Sequence, residues 1–535
     1  MDIRGRCQRV FNVLRELGPQ SIRKLAKATG LPKSSVDRHC KALHERAREV
    51  PEAGLWEHER GSQWLRVLVL AVMFVFGMKS GVGVERISEF LHRVRLERYV
   101  AASPTALRSL CAQMETVIMA YPAEQEQRRG QAECRVKIIA GADETFFDQV
   151  ILVMMDLVSG YIVLEEAADN RTYGTWQERV QAAVTTVGLE LRYVVSDRAK
   201  ALIKLALKGF GCPSVPDLFH ALRDLAKVMG VSLGLKLAQV EENLTHAQQL
   251  LSVLESKGQD THVQQRLLAH LSAQADALRA DQATYQRTLQ QASQAVHPFT
   301  LADSEAQSSA QVESQLYQAV ATLNALRTPY TVRDNQAQVT KFTRQIPGLA
   351  ALVDAWWLGV EHSLTPLALD EPTQSWLQQR LLPVAYWQTQ WEKTKTPALK
   401  TAYQQAFQHA QAALLQHPLT ATLASPEFKA HYAWVSNLAG QFQRASSAVE
   451  GRNGYLSQLN HCARGTPTQR LKVMTVIHNF DLKRADRTTA AERLFGIPFP
   501  DLFEWIVEHM ILLPMPRKPR TPAKFNPLKL LNVPA

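Results

Sequence analysis

The sequence predicts an α/β core interrupted by a large all-α insertion, with a small basic helical region in front of it. Three observations carry that reading. Residues 135 to 220 hold apolar runs of strand length separated by turn residues. From His220 onward apolar residues keep helical spacing for roughly two hundred residues. Residues 1 to 50 contain twelve Lys or Arg against five Asp or Glu, a large share of the formal charge of +11.

At 535 residues the chain is too long for one core, so roughly two to four domains are expected. With 46% hydrophobic and 21% charged residues the composition is globular, which excludes a disordered or fibrous class. The uneven positive charge favours a polyanionic partner, most simply nucleic acid. The six cysteines, at 7, 40, 111, 134, 212 and 462, stand singly without a CxxC pair, which suggests neither a zinc site nor a disulfide framework and fits a reducing compartment. Val67 to Gly77 is the most apolar run, but it is shorter than the ~20 residues that cross a bilayer. It reads as a buried helix, and no membrane partner is expected. Basic residues interrupt the N-terminus throughout, unlike a signal peptide.

Residues 1–63 form the first expected domain. Cys7 to Leu17 carries apolar residues at helical spacing and Gly18-Pro19 stops it; Ser21 caps a second helix through Thr29, and Pro32 to Arg46 supplies a third. Ala26, Gly30 and Val36 stand at helix-turn-helix spacing, with a small residue at the crossing, a glycine in the turn and a branched anchor. The third helix then offers Lys33, Ser34, Ser35, Arg38 and Lys41 to DNA phosphates and base edges. Leu55 to Leu65, centred on Arg60-Gly61-Ser62, is the expected wing hairpin. Residues 64–125 read as a second helical DNA-binding or linker domain, with helices at Trp64 to Met78, Val84 to Val94 and Pro104 to Tyr121. Glu124 to Gln131 is polar and reads as a linker.

Residues 132–220 change period. Arg135 to Ala142, Gln149 to Leu157 and Tyr161 to Glu166 read as an antiparallel meander; Thr172 to Val187 is a helix and Leu191 to Ser196 a fourth strand. Lys200 to Gly209 is a short helix, and Val215 to Phe219 a possible fifth strand that Pro216 confines to an edge. Residues 221–440 are the all-helical insertion. Leu233, Leu237, Val240, Leu244, Ala247, Leu251 and Leu254 form a heptad seam; Lys257-Gly258 turns the chain, and Leu271 to Ala292 carries the seam back as an antiparallel coiled-coil hairpin. Trp356, Trp357, Trp387, Trp391 and Trp434 are expected in its core. Residues 441–510 are helical again, and 511–535 form a basic, proline-rich tail.

Two-metal phosphoryl transfer needs carboxylates that hold two divalent ions roughly 4 Å apart. Asp143 in GADET and Asp197 in VVSDRAK are delivered by the first and fourth strands, and Glu450 in SSAVEGRNGYLSQLNH by a later helix. Among competing acids, Glu144 points to the opposite face from Asp143, Asp156 beside its turn is expected to be solvated, and Asp217 is the rival to Glu450 as third ligand. Arg452 and Asn453 accompany Glu450, placed to hold a phosphate. His220 and His461 are expected to be structural histidines, with support of a ligand or contact with DNA as the alternative.

The order β-β-β-α-β-α-β with acids on the first and fourth strands resembles the RNase H-like fold, and the chain resembles the DDE transposases of bacterial insertion sequences whose core is interrupted by a helical insertion before the final Glu. The resemblance covers residues 135 to 220 and 440 to 485, and its most specific piece is SxVEGRNGxLS followed by HCARGTPTQRLKVMTVIHNF. It implies Asp143, Asp197 and Glu450 as catalytic metal ligands for two Mg²⁺ ions per site, with Mn²⁺ able to substitute. It also implies double-stranded DNA as partner (terminal inverted repeats and target), a homodimer in the synaptic complex, no small-molecule substrate, and a cytoplasmic, nucleoid-associated bacterial protein. The alternatives are a domesticated transposase acting as a DNA-binding regulator, or a nuclease of this fold that cuts without joining.

Overall fold

The computed structural model describes residues 3–49, 59–129, 135–327, 336–463 and 467–516. They form a mixed α/β chain, mostly helical, with one five-stranded mixed sheet. The chain divides into two compact units: residues 134–455, and residues 1–133 together with 456–535. This division falls inside the segment 441–510 that the sequence treats as one piece. The tail 517–535 lies outside the described residues.

In the second of these units, α1 (Ile3–Leu17), α2 (Ile22–Thr29) and α3 (Lys33–Glu49) follow the expected boundaries. The Ser21 hydroxyl caps α2 by accepting from Lys24 N at 3.4 Å. Gly30 makes the turn at φ 67°, a left-handed conformation that a side chain would strain. Cys7, Val10, Leu25, Val36 and Leu43 form the core, with Ala26 packed against it. The expected wing is absent over residues 59–65, which instead begin the helix α4 (Glu59–Val72), continued as a π-helix over Met73–Lys79; residues 55–58 lie outside the described residues. The turn chemistry of Arg60-Gly61-Ser62 is overridden by Leu65, Val69, Leu70 and Met73, which bury one helical face. By length and composition Glu59–Lys79, at 21 residues, is a helix that could cross a membrane, and 44% of its apolar window is buried inside the protein.

Next come α5 (Val84–Arg93) and α6 (Pro104–Arg129), the latter started by Ser103, whose Oγ accepts from Ala106 N at 3.3 Å. The expected linker at Glu124 to Gln131 is helix as far as Arg129, because Gln125 is buried and extends the packed face past Pro122. Helices Thr468–Phe480 and Leu502–His509 belong to the same unit: Tyr121 meets both Phe480 and Trp505 edge-on, and Trp505 Nε1 donates to Val117 O at 3.2 Å.

The other unit holds the sheet. Its strands are β1 (Val136–Phe146), β2 (Val150–Asp156), β3 (Ile162–Ala168), β4 (Leu189–Ser196) and β5 (Ser214–Pro216), in the order β3-β2-β1-β4-β5. The first three are antiparallel neighbours, while β4 runs parallel to β1 and β5 parallel to β4. Ile138 to Ala142 are all buried, as a central strand covered on both faces requires. Helix α7 (Tyr173–Val187), closed by Gly188 at φ 75°, packs on β3 and β4. Pro216 sits on the edge strand, where its missing N–H breaks no ladder.

Asp143 does not end β1, contrary to expectation. The strand continues to Phe146 because β2 goes on pairing with it, from Asp143 opposite Val153 to Phe146 opposite Val150. The pairing of β1 with β4 stops earlier, at Gly141 opposite Val195.

After β5 come α8 (Leu218–Ala226) and the hairpin of α9 (Gly230–Ser256) and α10 (His262–Ala295), turned at Gly258 with φ 64°. Leu233, Val240, Ala247, Leu271, Ala275, Leu278, Tyr285 and Ala292 are buried along its seam, as the heptads predict. Helices α11 (Ser309–Arg327), α12 (Gln336–Leu364), α13 (Leu382–Lys393), α14 (Pro397–Gln416) and α15 (Ser425–Gly440) complete the insertion. Trp356 and Trp387 are buried and Trp357, Trp391 and Trp434 half-buried, in line with core roles. Around them His297, fully buried, meets the hydroxyls of Tyr386 and Tyr403, the latter at 3.1 Å from Nε2. Burial, and then the Arg444 charge, holds this imidazole well below its ordinary pKa, hence neutral.

Arg444 is also where the insertion is tied back to the sheet. Its guanidinium donates to Tyr403 Oη at 2.8 Å and to Ser293 O at 2.8 Å, while its carbonyl accepts from Leu218 N at 2.9 Å. One turn earlier, Arg192 and Tyr193 on β4 bond Gln441, through its side chain at 2.7 Å and its carbonyl at 3.2 Å. The segment 441–446 is thereby stitched to β4 and α8 before α16 (Ser447–Ala463) begins.

Candidate active site

Asp143 and Asp197 each stand two residues beyond the last paired residues of β1 and β4, Gly141 and Val195. The strands are parallel neighbours, so Asp143 in β1 and Asp197 just after β4 lie at the same end of the β1–β4 ladder. Asp197 turns its own loop, its Oδ1 accepting from Ala199 N at 2.8 Å, and Arg198 beside it is held at φ 66°.

Glu450 lies on α16, which packs directly on β1. A Cβ added at Gly141 would come within 2.9 Å of Val449 and 2.6 Å of Leu157, so only glycine allows the helix this close. Two further contacts fix α16. Asn453 Nδ2 donates to Asp143 Oδ2 at 3.0 Å. Arg452 forms a bidentate ion pair with Glu165 of β3, at 2.5 and 2.7 Å, with the two side chains 4% and 0% exposed.

Arg452 therefore cannot hold a phosphate as the sequence predicts; it is a buried strut between α16 and β3. Asn453 is likewise turned inward. Glu165 was not singled out from the sequence, although an acid within an otherwise apolar strand is the signal that would have found it.

The electrostatics are those of crowded like charges. Burial pushes the Asp143 carboxyl above the ordinary carboxylate range, and the charges of Asp197 and Glu450 push the same way. Glu144 faces the other side, as alternation requires: it accepts from Trp176 Nε1 at 3.3 Å, has Arg171 at 3.8 Å, and is raised chiefly by burial.

His220 Nε2 lies 2.9 Å from Glu450 Oε1, and its Nδ1 lies 3.5 Å from Asp217 Oδ2. His220 thus stands between Glu450 and Asp217. His461 is not brought to the carboxylates: it is exposed, roughly three turns further along α16.

Asp217 is an anchor rather than a rival ligand. It caps α8 through His220 N at 3.0 Å and receives both the N–H of Ser446, at 2.6 Å, and the Ser446 hydroxyl. Burial raises this carboxyl, but hydrogen bonds from His220 and Ser446 outweigh it and hold it at about 2. Asp156 is not solvated either: it is buried and accepts from Ile139 N at 3.1 Å, Ser159 N at 2.8 Å and Ser159 Oγ at 2.6 Å.

The donor set of Asp143, Asp197 and Glu450 is made of hard oxygens, which suit Mg²⁺ or Mn²⁺. A further oxygen, Asn453 Oδ1, is buried beside Asp143 with no hydrogen-bond partner, which also fits a cation site. As the side chains stand, no three His, Cys, Asp or Glu among the described residues are gathered closely enough to hold an ion. Glu450 is turned to His220, and Asp143 to Asn453.

On α3, Lys33, Ser34, Arg38 and Lys41 are exposed, with Lys41 paired to Asp37 at 2.9 Å. Ser35 is buried, so it is removed from the expected DNA-contacting set: it faces the helical core one position before Val36.

Comparison with known families matches residues 377–522 to a family of unknown function, DUF6399. That span contains Glu450 and α16 but neither Asp143 nor Asp197. Curated proteins and solved structures give no match.

Proposed function

We propose that this protein is a DDE-type DNA transposase, with an RNase H-like core and an N-terminal helix-turn-helix that binds the terminal inverted repeats of its own insertion sequence. One observation supports the reading: Asp143 and Asp197 each follow by two residues the last pair, Gly141 and Val195, of the parallel β1–β4 ladder, and the helix that carries Glu450 packs on β1 at Gly141. The element order β-β-β-α-β-α-β supports the RNase H-like assignment, as does a helical insertion whose ends return to the sheet. The three-helix fold of α1 to α3, with Gly30 in the turn and basic residues exposed on α3, supports end binding.

In this reading Asp143, Asp197 and Glu450 hold the divalent cations. When bound, Mg²⁺ supplies the Lewis acidity that activates a nucleophilic hydroxyl and stabilises a leaving oxygen in phosphoryl transfer. The chain's own part is placement. Asn453 holds Asp143, Ala199 N holds Asp197, and the Asp217–His220 pair holds Glu450. Lys33, Ser34, Arg38 and Lys41 meet DNA phosphates and base edges, and two copies of the chain pair the two ends so that each end has its own site.

The test uses purified protein with element-end DNA. Asp197→Ala should bind the ends in a mobility-shift assay and nick nothing with Mg²⁺ or Mn²⁺; retained nicking overturns the assignment. Wild-type protein that binds ends without cutting or joining would be a regulator. Cutting without joining of pre-cut ends would mark a nuclease.

A further inference from the structure

The carboxamide of Asn453 is used on one side only. Its Nδ2 donates to Asp143 Oδ2 at 3.0 Å, while its Oδ1 is shielded from solvent and has no partner. The orientation follows from chemistry: an ionised carboxylate only accepts, so the amide must present N–H to Asp143, and the oxygen is left over. A buried acceptor without a donor is costly. It is also out of place here, because α16 is otherwise tightly specified by the Arg452–Glu165 pair one residue earlier and by Val449 against Gly141.

We propose that Asn453 is a further residue of the cation site, its Nδ2 fixing Asp143 and its Oδ1 serving as a neutral oxygen donor to the divalent cation. This rests on the reading of Asp143, Asp197 and Glu450 as ligands, and it adds a role that the sequence reading gave instead to DNA contact. A carbonyl-type oxygen is a normal partner for Mg²⁺ or Mn²⁺ alongside carboxylates. Being neutral, it adds a donor without adding to the repulsion among three acids. Its position three residues after Glu450 places both side chains on one face of α16, so one helix delivers a charged and a neutral donor together.

The experiment is Mn²⁺ binding to the full-length protein without DNA, followed by electron paramagnetic resonance and calorimetry, with thermal melting as a control for folding. Wild type should bind, and Asp197→Ala should lose that binding. Asn453→Ala should bind Mn²⁺ at least ~10-fold more weakly, in the range seen when groups supporting a metal site are removed. Asn453→Asp, which restores an oxygen donor but not the N–H, should bind more tightly than Asn453→Ala. Equal affinity for Asn453→Ala and wild type overturns the proposal while leaving the three-carboxylate reading intact. So does equal weakening in Asn453→Ala and Asn453→Asp, which would leave Asn453 as a brace for Asp143 alone. Wild-type protein that binds no Mn²⁺, or binding that survives Asp197→Ala, overturns the three-carboxylate reading and this proposal with it.

Discussion

His220 Nε2 stands 2.9 Å from Glu450 Oε1, while its other ring nitrogen faces Asp217 Oδ2 at 3.5 Å, so one imidazole joins two acids whose roles differ. The adjacent Asp217 carboxylate, and then the charge of Glu450, raise the His220 pKa against the effect of burial. A raised histidine contributes stability that is fully present below its ordinary value near 6.5 and is lost as pH rises through the folded value. Glu450→Gln removes one of the two charges. The His220 pKa, followed by NMR titration, should fall in this variant yet stay above that of a double variant that also carries Asp217→Asn.

Asp217 gives the opposite pH dependence. Its folded value of about 2 lies below the ordinary ~3.9, so its stabilisation is present above about pH 4 and is lost as pH falls toward about 2. Asp217→Asn keeps the shape of the cap on α8 and removes the charge. It should cost about 2 kcal/mol at neutral pH and flatten the acid limb of a urea-denaturation series between pH 4 and 2 by the same amount.

The Arg452–Glu165 pair is buried on both sides, which decides how it must be tested. Arg452→Ala leaves a carboxylate in the core without its partner and should destabilise the sheet-containing unit by about 3–5 kcal/mol. Arg452→Met combined with Glu165→Leu should recover most of that loss. If Arg452 acted on DNA phosphate, the double variant would melt normally but lose DNA affinity; we expect its melting and its end binding both to be near wild type.

On α3 the exposed Lys33 and Arg38 contribute through charge. Each change to Ala should weaken binding to all DNA sequences alike and reduce the slope of log affinity against log salt by about 1. Ser35→Ala, in contrast, should leave that slope unchanged, since Ser35 is buried.

Local periodicity made much of this fold legible. The helices of the N-terminal region, the heptad seam of α9 and α10, and the alternation of strands around Asp143 and Asp197 are written in neighbouring residues. What stayed hidden depends on partners far away in the chain. Nothing near Arg452 announces Glu165, 287 residues earlier, and nothing near Asp217 announces Ser446. The extension of β1 past Asp143 is decided by how long β2 keeps pairing with it. The failed wing shows the converse: good turn chemistry at Arg60-Gly61-Ser62 loses to a helix face that has a core to bury.

The distance between Asp217 and Ser446, 229 residues along the chain, also sets an order of events. Closing an unstructured loop of that length costs about 5 kcal/mol in chain entropy. A folded insertion reduces that cost, because hairpins such as α9–α10 form from local contacts and shorten the loose chain left to close. Synthesis makes the same point in time. At roughly 5–20 residues per second, β1 and β4 leave the ribosome tens of seconds before α16 is made. In the proposed reading, a nascent chain thus carries two of the three acids for that interval and gains the third only once α16 is made.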